Sequence, residues 1–457
     1  MRSLMLPGLK RWIAIIVLGI GVIVFGVLLI MGKHPTANAL AFAIELLKDL
    51  TGKVDISHRL TGIIAISLGV GIIFMAILRL TYSILGAYLP HERESIPDVL
   101  YRRRHLDRGP KVVVVGGGHG LSNLLRGLKG FTNNLTAVVT VGDDGGSSGR
   151  LRQELGVLPP GDIRNCITAL ADEDRLVTDL FKYRFEHGDG LEGHSFGNLF
   201  LTAVCAITGG DMLEAARVAS RVLNSCGQVL PSTLSSMVLI AEFEDGRVVR
   251  GESIIPEADG RIKKLSCEPE LPEATAEALE AIASADMIVL GPGSLYTSII
   301  PNILVKNVAE AIIDSPARKV YVCNVMTQQG ETTNYTVGDH VEALLQHAGF
   351  GKGGRHNVPT SRFCEGVMIN VQAPNVDPKS PVTPVRYDPD RLRHLGVRPI
   401  LRPLVSEEYA GHHDPSRLAE ALMLWYFRQR PRRLTRKQSK PELKVVSPQP
   451  QNQPTTV

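Results

Sequence analysis

Closely spaced cysteines are missing from this chain. Its six, Cys166, Cys205, Cys226, Cys267, Cys323 and Cys364, stand 21 to 56 residues apart and form no C-x-x-C. That excludes a compact zinc site or a vicinal redox pair. Thiols inside apolar runs act as small hydrophobes in a reducing compartment. Aromatics are scarce at 5%, and net charge over 457 residues is only +4. Even that excess sits in one place. From Arg428 onward there are eight Lys or Arg and one Glu, while the rest of the chain carries 42 basic and 45 acidic groups. The body is no polycation, which argues against a nucleic-acid partner. With 44% hydrophobic and 21% charged residues, the length suits two or three domains. A disordered chain, a disulfide-stapled miniature and a polytopic transporter are excluded.

Charge is absent altogether from two stretches, Trp12 to Met31 and Leu60 to Leu78. At about 1.5 Å per residue, each helix just crosses a hydrocarbon core of about 30 Å. The first run is too long for a cleaved signal peptide, and no small-x-small site closes it before Lys33. Residues 1–90 therefore read as a two-helix membrane hairpin with helices over about 12–31 and 60–78. Arg2, Lys10 and Arg11 precede it, and Arg79, Arg93 and Arg102 to Arg104 follow. Between the runs, Lys33, Lys48, Lys53 and Arg59 are offset by Glu45, Asp49 and Asp55. The flanking excess favours both termini and the large domain in the cytoplasm. The apolar stretch ALAFAIELL from Ala39 would then lie on the opposite membrane face. Residues 91–110 read as a basic linker, 111–427 as the main domain and 428–457 as a disordered basic, proline-rich tail.

In the main domain, short β-branched runs alternate with amphipathic stretches. Strands are expected at Val112–Val115, Ala137–Val141, Met237–Phe243, Met287–Leu290 and Val320–Cys323. Helices are expected at Leu121–Leu128, Leu176–Phe185, Met212–Leu223, Pro272–Ser284, Val308–Ile313, His340–Ala348 and Ser416–Phe427. Runs such as Val367–Val371 suggest edge strands. The pattern predicts an α/β fold, a Rossmann-like doubly wound and mostly parallel sheet. Glycine and polar residues collect after four strands: GGGHGLSN at Gly116, GDDGGSSGR at Gly142, GPGSLYTS at Gly291 and NVMTQQGET at Asn324. Such loops share the ligand-binding edge of a parallel sheet.

Gly116, Gly117, Gly118 and Gly120 exceed what one tight turn needs, and a helix N-terminus follows; phosphate contact explains both. The third glycine of a dinucleotide fingerprint falls at Leu121, and no G-K-[ST] occurs, which weakens NAD and ATP readings. Asp143 and Asp144 can hold Mg²⁺ through water or bind a ribose hydroxyl; a solvated Asp-Gly turn is the alternative. Ser147 and Ser148 can form an anion nest near Arg150. Within PPGDIRN and GHSFGNL, Asp162, Arg164, Asn165, His194, Ser195 and Asn198 are polar residues in apolar sequence. His194 suits either an acid/base or phosphate-donor role or a structural one, and Asp162 with Arg164 suits a structural ion pair equally well. Ser294 and Tyr296 can meet phosphate and base. Ser294 lies in Gly-Pro-Gly-Ser-Leu, which is no nucleophile elbow.

Taken in order, GGGHGLSNLLRGLK, VTVGDDGGSSGRLR, PPGDIRN, LFKYRF, GHSFGNL, LNSCGQVLPST, GPGSLYTSIIPNIL and NVMTQQGETTNYTVGDH resemble the bacterial gluconeogenesis factor family (YvcK-like), related to CofD, the 2-phospho-lactate transferase. The resemblance runs from about Lys111 to Pro415. It implies binding of a UDP-sugar such as UDP-N-acetylglucosamine and a role in cell shape and wall synthesis during gluconeogenic growth, with wall-synthesis or regulatory proteins as partners. The CofD branch implies the alternative, an Mg²⁺-dependent enzyme moving a phospho-lactyl-type group from a nucleoside diphosphate. By matching blocks, Gly117, Gly118, His119, Gly120, Ser147 and Ser148 would lie near phosphates and Asp143 and Asp144 near metal. Asn165, His194, Asn198, Ser294 and Tyr296 would line the rest. The chain departs from the family pattern in its hairpin and ahead of His413-Asp414-Pro415, where the family pattern has a basic residue and this chain has His412.

Overall fold

The computed structural model describes residues 9–31, 58–88, 104–171, 175–350, 358–374, 380–406, 408 and 411–429. The stretch from Ala39, most of the linker and the tail beyond Gln429 lie outside the described residues. The chain divides into two units, Met1–Arg104 and His105–Val457.

In the first unit, α1 (Leu9–Met31) and α2 (His58–Tyr88) have 23 and 31 residues. They meet through Gly19 and Gly26 on α1 and Gly62 and Gly69 on α2. A Cβ on Gly62 would stand 2.7 Å from the Gly26 carbonyl oxygen, and one on Gly69 would stand 2.8 Å from that of Gly19. Backbones this close leave no room for a larger residue, as at small-residue seams between membrane helices. Gly21 and Gly71 lie off the seam with nothing within 4 Å. Leu18, Leu68 and Phe74 are among many apolar side chains pointing outward. Both helices are long and apolar enough to cross a membrane.

The described residues of the second unit form ten strands: β1 (Val112–Gly116), β2 (Leu135–Val139), β3 (Gln228–Pro231), β4 (Val238–Phe243), β5 (Val248–Arg250), β6 (Ile262–Glu268), β7 (Met287–Leu290), β8 (Arg318–Val322), β9 (Gly366–Asn370) and β10 (Arg398–Arg402). Seven form one sheet in the order β10-β9-β8-β7-β1-β2-β3, and every pairing in it is parallel. Alternate β1 residues enter opposite layers. Val113 and Val115 join Ile288 and Leu290 in one, while Val112 and Val114 join Met287 and Val289 in the other. Both faces are therefore covered, which is why these strands read as unbroken apolar runs.

Helices α3 (Gly118–Leu128), α4 (Gly146–Leu155), α5 (Gly161–Leu170), α6 (Arg175–Lys182), α7 (Phe196–Ile207) and α8 (Met212–Val222) precede β3. Later come α9 (Ala276–Ser284), α10 (Ile300–Leu304), α11 (Val308–Asp314), α12 (Val337–His347), α13 (Pro389–Leu395) and α14 (Pro415–Gln429).

Two strand expectations need correction. Met237–Phe243 does form a strand, but β4 belongs to a separate antiparallel sheet with β5 and β6. Its residues alternate between half-buried and buried, as on a sheet with one wet face. Val367–Val371 is no edge; β9 lies between β8 and β10, and β10 is the edge. Residues from His105 also belong with the second unit. Asn134 Nδ2 donates to the Asp107 and Gly109 carbonyls at 2.9 and 2.8 Å.

From β1 the sheet grows through β2 to β3 on one side and through β7 to β10 on the other. The order reverses between β1 and β7. Outside the carboxyl ends of strands at such a reversal, two loops diverge and leave a crevice.

Candidate functional site

A cleft of about 1030 Å³ lies at this crevice. Gly117 to Gly120 enter it after β1, Asp143 after β2, Pro292 to Ser294 after β7 and Asn324 to Gln328 after β8. All four glycine-rich or polar loops expected from the sequence thus converge there.

The glycines serve different ends. A Cβ on Gly117 would stand 2.5 Å from Asp162 Oδ2, so that position makes room for the protein's own carboxylate. Gly118, at φ +67°, begins α3 in the left-handed region, and a Cβ there would meet nothing nearer than Ser298 Oγ at 3.6 Å. Space for a ligand therefore opens at Gly118, at a helix start whose first N–H groups lack intrahelical partners; the Asp162 carboxylate accepts that of Gly118 itself, which leaves those further along the turn to meet a ligand.

The loop after β7 is held by the loop after β8. Asn324 Nδ2 donates to the Gly293 carbonyl and to Gln328 Oε1, each at 3.0 Å, and Gln328 Nε2 donates to Ser294 Oγ at 2.7 Å. A π-turn, Leu295–Ile299, follows. The buried Glu331 accepts from Tyr296 N at 3.2 Å and from Thr297 Oγ1 at 3.0 Å. The start of this turn is thus answered by a protein carboxylate. Tyr296 itself lies outside the cleft lining, buried, with its hydroxyl 3.0 Å from that of Tyr335.

Ser147, Asn165, His194 and Asn198 come together, but around a buried polar hub rather than in the cleft lining. Ser147 Oγ is 2.9 Å from His194 Nδ1 and accepts from Asn198 Nδ2 at 3.0 Å. Arg164 donates to Asn198 Oδ1 at 3.0 Å, to Asn165 Oδ1 at 2.6 Å and to Ser195 Oγ. Ser148 Oγ accepts from Gly161 N at 3.1 Å. These bonds tie the starts of α4, α5 and α7 together. Burial, then the charge of Arg150, lowers the His194 pKa and keeps its ring neutral. The G-x-S-x-G spacing occurs twice here, at Gly145–Gly149 and Gly193–Gly197. Both serines, Ser147 and Ser195, are buried and hydrogen-bonded, and Ser195 caps α7 by accepting from Asn198 N. Neither is an exposed nucleophile.

A family model described as 2-phospho-L-lactate transferase CofD matches residues 112–405. The chain belongs to the CofD family. A Bacillus subtilis protein named gluconeogenesis factor is 48% identical over 320 residues, 69% of this chain and 97% of that one. A Nostoc relative is 46% identical over 431 residues, 92% of this chain and 91% of its own. A match that long extends into the segment ahead of His105. A crystal structure of a Bacillus halodurans protein, 45% identical, superposes with a TM-score of 0.64 and covers 69% of this chain and all of its own. A second crystal structure from that organism is described as a UPF0052 family member.

In this CofD-family chain the aspartate pair divides. Asp144 accepts from Glu252 N at 2.9 Å and Ser253 N at 2.8 Å, so both its oxygens cap a main-chain turn. Asp143 accepts from Gly145 N at 3.0 Å and faces the cleft. It is joined there by Asp162 and Glu252, which sequence patterns did not single out as cleft carboxylates. Burial first, then the charge of Asp143, pushes Asp162 up to about 7 and Glu252 up to about 8. Neighbouring carboxylates with raised pKa values are short of positive charge. Among the described residues no three His, Cys, Asp or Glu side chains stand close enough to form an all-protein metal cage. Mg²⁺ needs none, since one or two carboxylates with ligand phosphates and water suffice. The donor set fits it in that form.

Proposed function

We propose that this CofD-family protein is a membrane-tethered binding protein for a UDP-sugar of the UDP-N-acetylglucosamine type, serving cell shape and wall synthesis during gluconeogenic growth. The observation that carries the reading is the cleft at the strand-order reversal. It combines an open helix start at Gly118, suited to a diphosphate, with neutral hydrogen-bonding groups and an apolar stretch suited to a sugar and a base. The printed names of the relatives support the physiological part. The glycine-seamed hairpin supports tethering, with both ends and the domain on the cytoplasmic side, beside wall-synthesis proteins as partners. Calorimetric titration of the full-length protein in detergent with UDP-N-acetylglucosamine, GDP and NAD tests this. Selective uridine-nucleotide binding without turnover is expected; silence to every uridine nucleotide rejects it.

One observation favours a second reading, a transferase moving a phospho-lactyl-type group from a nucleoside diphosphate. Asp143, Asp162 and Glu252 gather beside the phosphate end, which binding alone hardly requires. Asp143 and Asp162 would hold Mg²⁺, which when bound offsets phosphate charge. Gly118 and the first turn of α3 would orient the donor. Binding of GDP in place of UDP-sugars, and only with Mg²⁺, would favour this reading.

A further inference from the structure

Resting on the proposal that the cleft takes a nucleotide sugar, we propose that His413 reads the ligand's uncharged part, its Nε2 accepting a hydrogen bond from an N–H or O–H of the base or sugar. Its position is fixed by the residues that follow. Asp414 Oδ1 accepts from Ser416 N at 2.9 Å and Arg417 N at 3.1 Å, while Asp414 N donates to the Leu404 carbonyl at 2.8 Å. Pro415 is the first residue of α14, where a missing N–H costs nothing. Its carbonyl oxygen lies 2.1 Å from where a Cβ on Gly127 would be, so the start of α14 is seated on α3, more than two turns beyond Gly118. His413 is thereby set into the cleft wall away from the phosphate end. Leu124, Val325, Met326, Val382 and Leu418 make that part of the lining apolar.

His413 is 7% exposed, its ring bonds to the main chain of Cys323, and its Nε2 has no partner among the described residues. Burial, followed by the neighbouring His412, pushes its pKa down to about 4, so the ring is neutral at physiological pH. A neutral imidazole has one donor and one acceptor. With the ring N–H directed at the Cys323 carbonyl, Nε2 is left as a bare acceptor. An unpaired acceptor in an apolar wall burdens the ligand-free fold and selects for a ligand that brings a donor.

Two readouts on the full-length protein in detergent separate this from a structural role. His413→Leu removes the acceptor, and its UDP-N-acetylglucosamine affinity is expected to fall by about tenfold or more. The ligand-free Leu variant loses the bond to the Cys323 carbonyl but is relieved of the unpaired acceptor, so its melting temperature should stay close to wild type. His413→Gln keeps an acceptor and is expected within about threefold of wild type. An equal loss for UDP would put the donor on the base; a loss confined to UDP-N-acetylglucosamine would put it on the sugar. Undiminished affinity in the Leu variant, a Leu variant that fails to fold, or a Gln variant as weak as Leu overturns the proposal. Wild-type protein that binds no uridine nucleotide overturns instead the reading of the cleft beneath it.

Discussion

Glu331 stands with a buried carboxylate on the π-turn that a ligand phosphate could otherwise approach. Burial pushes it from 4.5 up to about 7. The folded protein therefore keeps a proton that the unfolded chain loses near its ordinary pKa. Stability from this group is full below the unfolded value and declines as pH rises to about 7, by at most about 3 kcal/mol. Glu331→Gln, which cannot titrate, should show a flatter dependence of melting temperature between about pH 5 and 7. An unchanged slope would mean that the carboxylate is ionised throughout. Asp144 is the complementary case. With both oxygens on main-chain amides, Asp144→Ala should lose about 1 to 3 kcal/mol of stability and leave nucleotide affinity within about 1 kcal/mol. Denaturant midpoint and calorimetry on one preparation test both halves. The sequence shows two adjacent aspartates at a strand end but not which one turns inward. That depends on amides at Glu252 and Ser253, more than a hundred residues away.

At the scale of elements, legibility followed burial. Strands covered on both faces, such as Val112–Gly116 and Met287–Leu290, appear in sequence as uniform apolar runs and are found within a residue. Helices α4, α5 and α7 do not, since their glycine, serine and asparagine content opposes intrinsic helix formation. The polar hub of Ser147, His194, Asn198 and Arg164 holds their starts in place, and no local pattern encodes it. Close approaches were equally silent. Gly127→Leu should force α3 from α14 and cost more than about 3 kcal/mol, seen as a large drop in melting temperature. In the hairpin, Gly62→Leu should widen the separation of spin labels at positions 18 and 74, whereas Gly21→Leu, off the seam, should not. Equal distances in both variants would contradict the glycine seam.

At the scale of the whole molecule, two helices long and apolar enough to cross a membrane precede the cleft-bearing unit in one chain, and the match to the Nostoc relative extends into that segment. The full-length protein should sediment with membranes and resist extraction by salt, while deletion of residues 1–104 should release it. Deleted protein that still pellets would place the membrane contact elsewhere. The convergence of four loops on one edge was legible from strand-end composition. The acidic floor was not, since Asp162 and Glu252 come from α5 and from the turn after β5. The central claim is that nucleotide sugar binds at the strand-order reversal, and hydrogen exchange with and without UDP-N-acetylglucosamine tests it most directly. Added protection is expected at Gly118–Asn123, Ser294–Ser298 and Gly411–His413. Protection confined to the smaller hollow of about 390 Å³ by Lys111, Asn134 and Gln228, or none at all, would contradict the account.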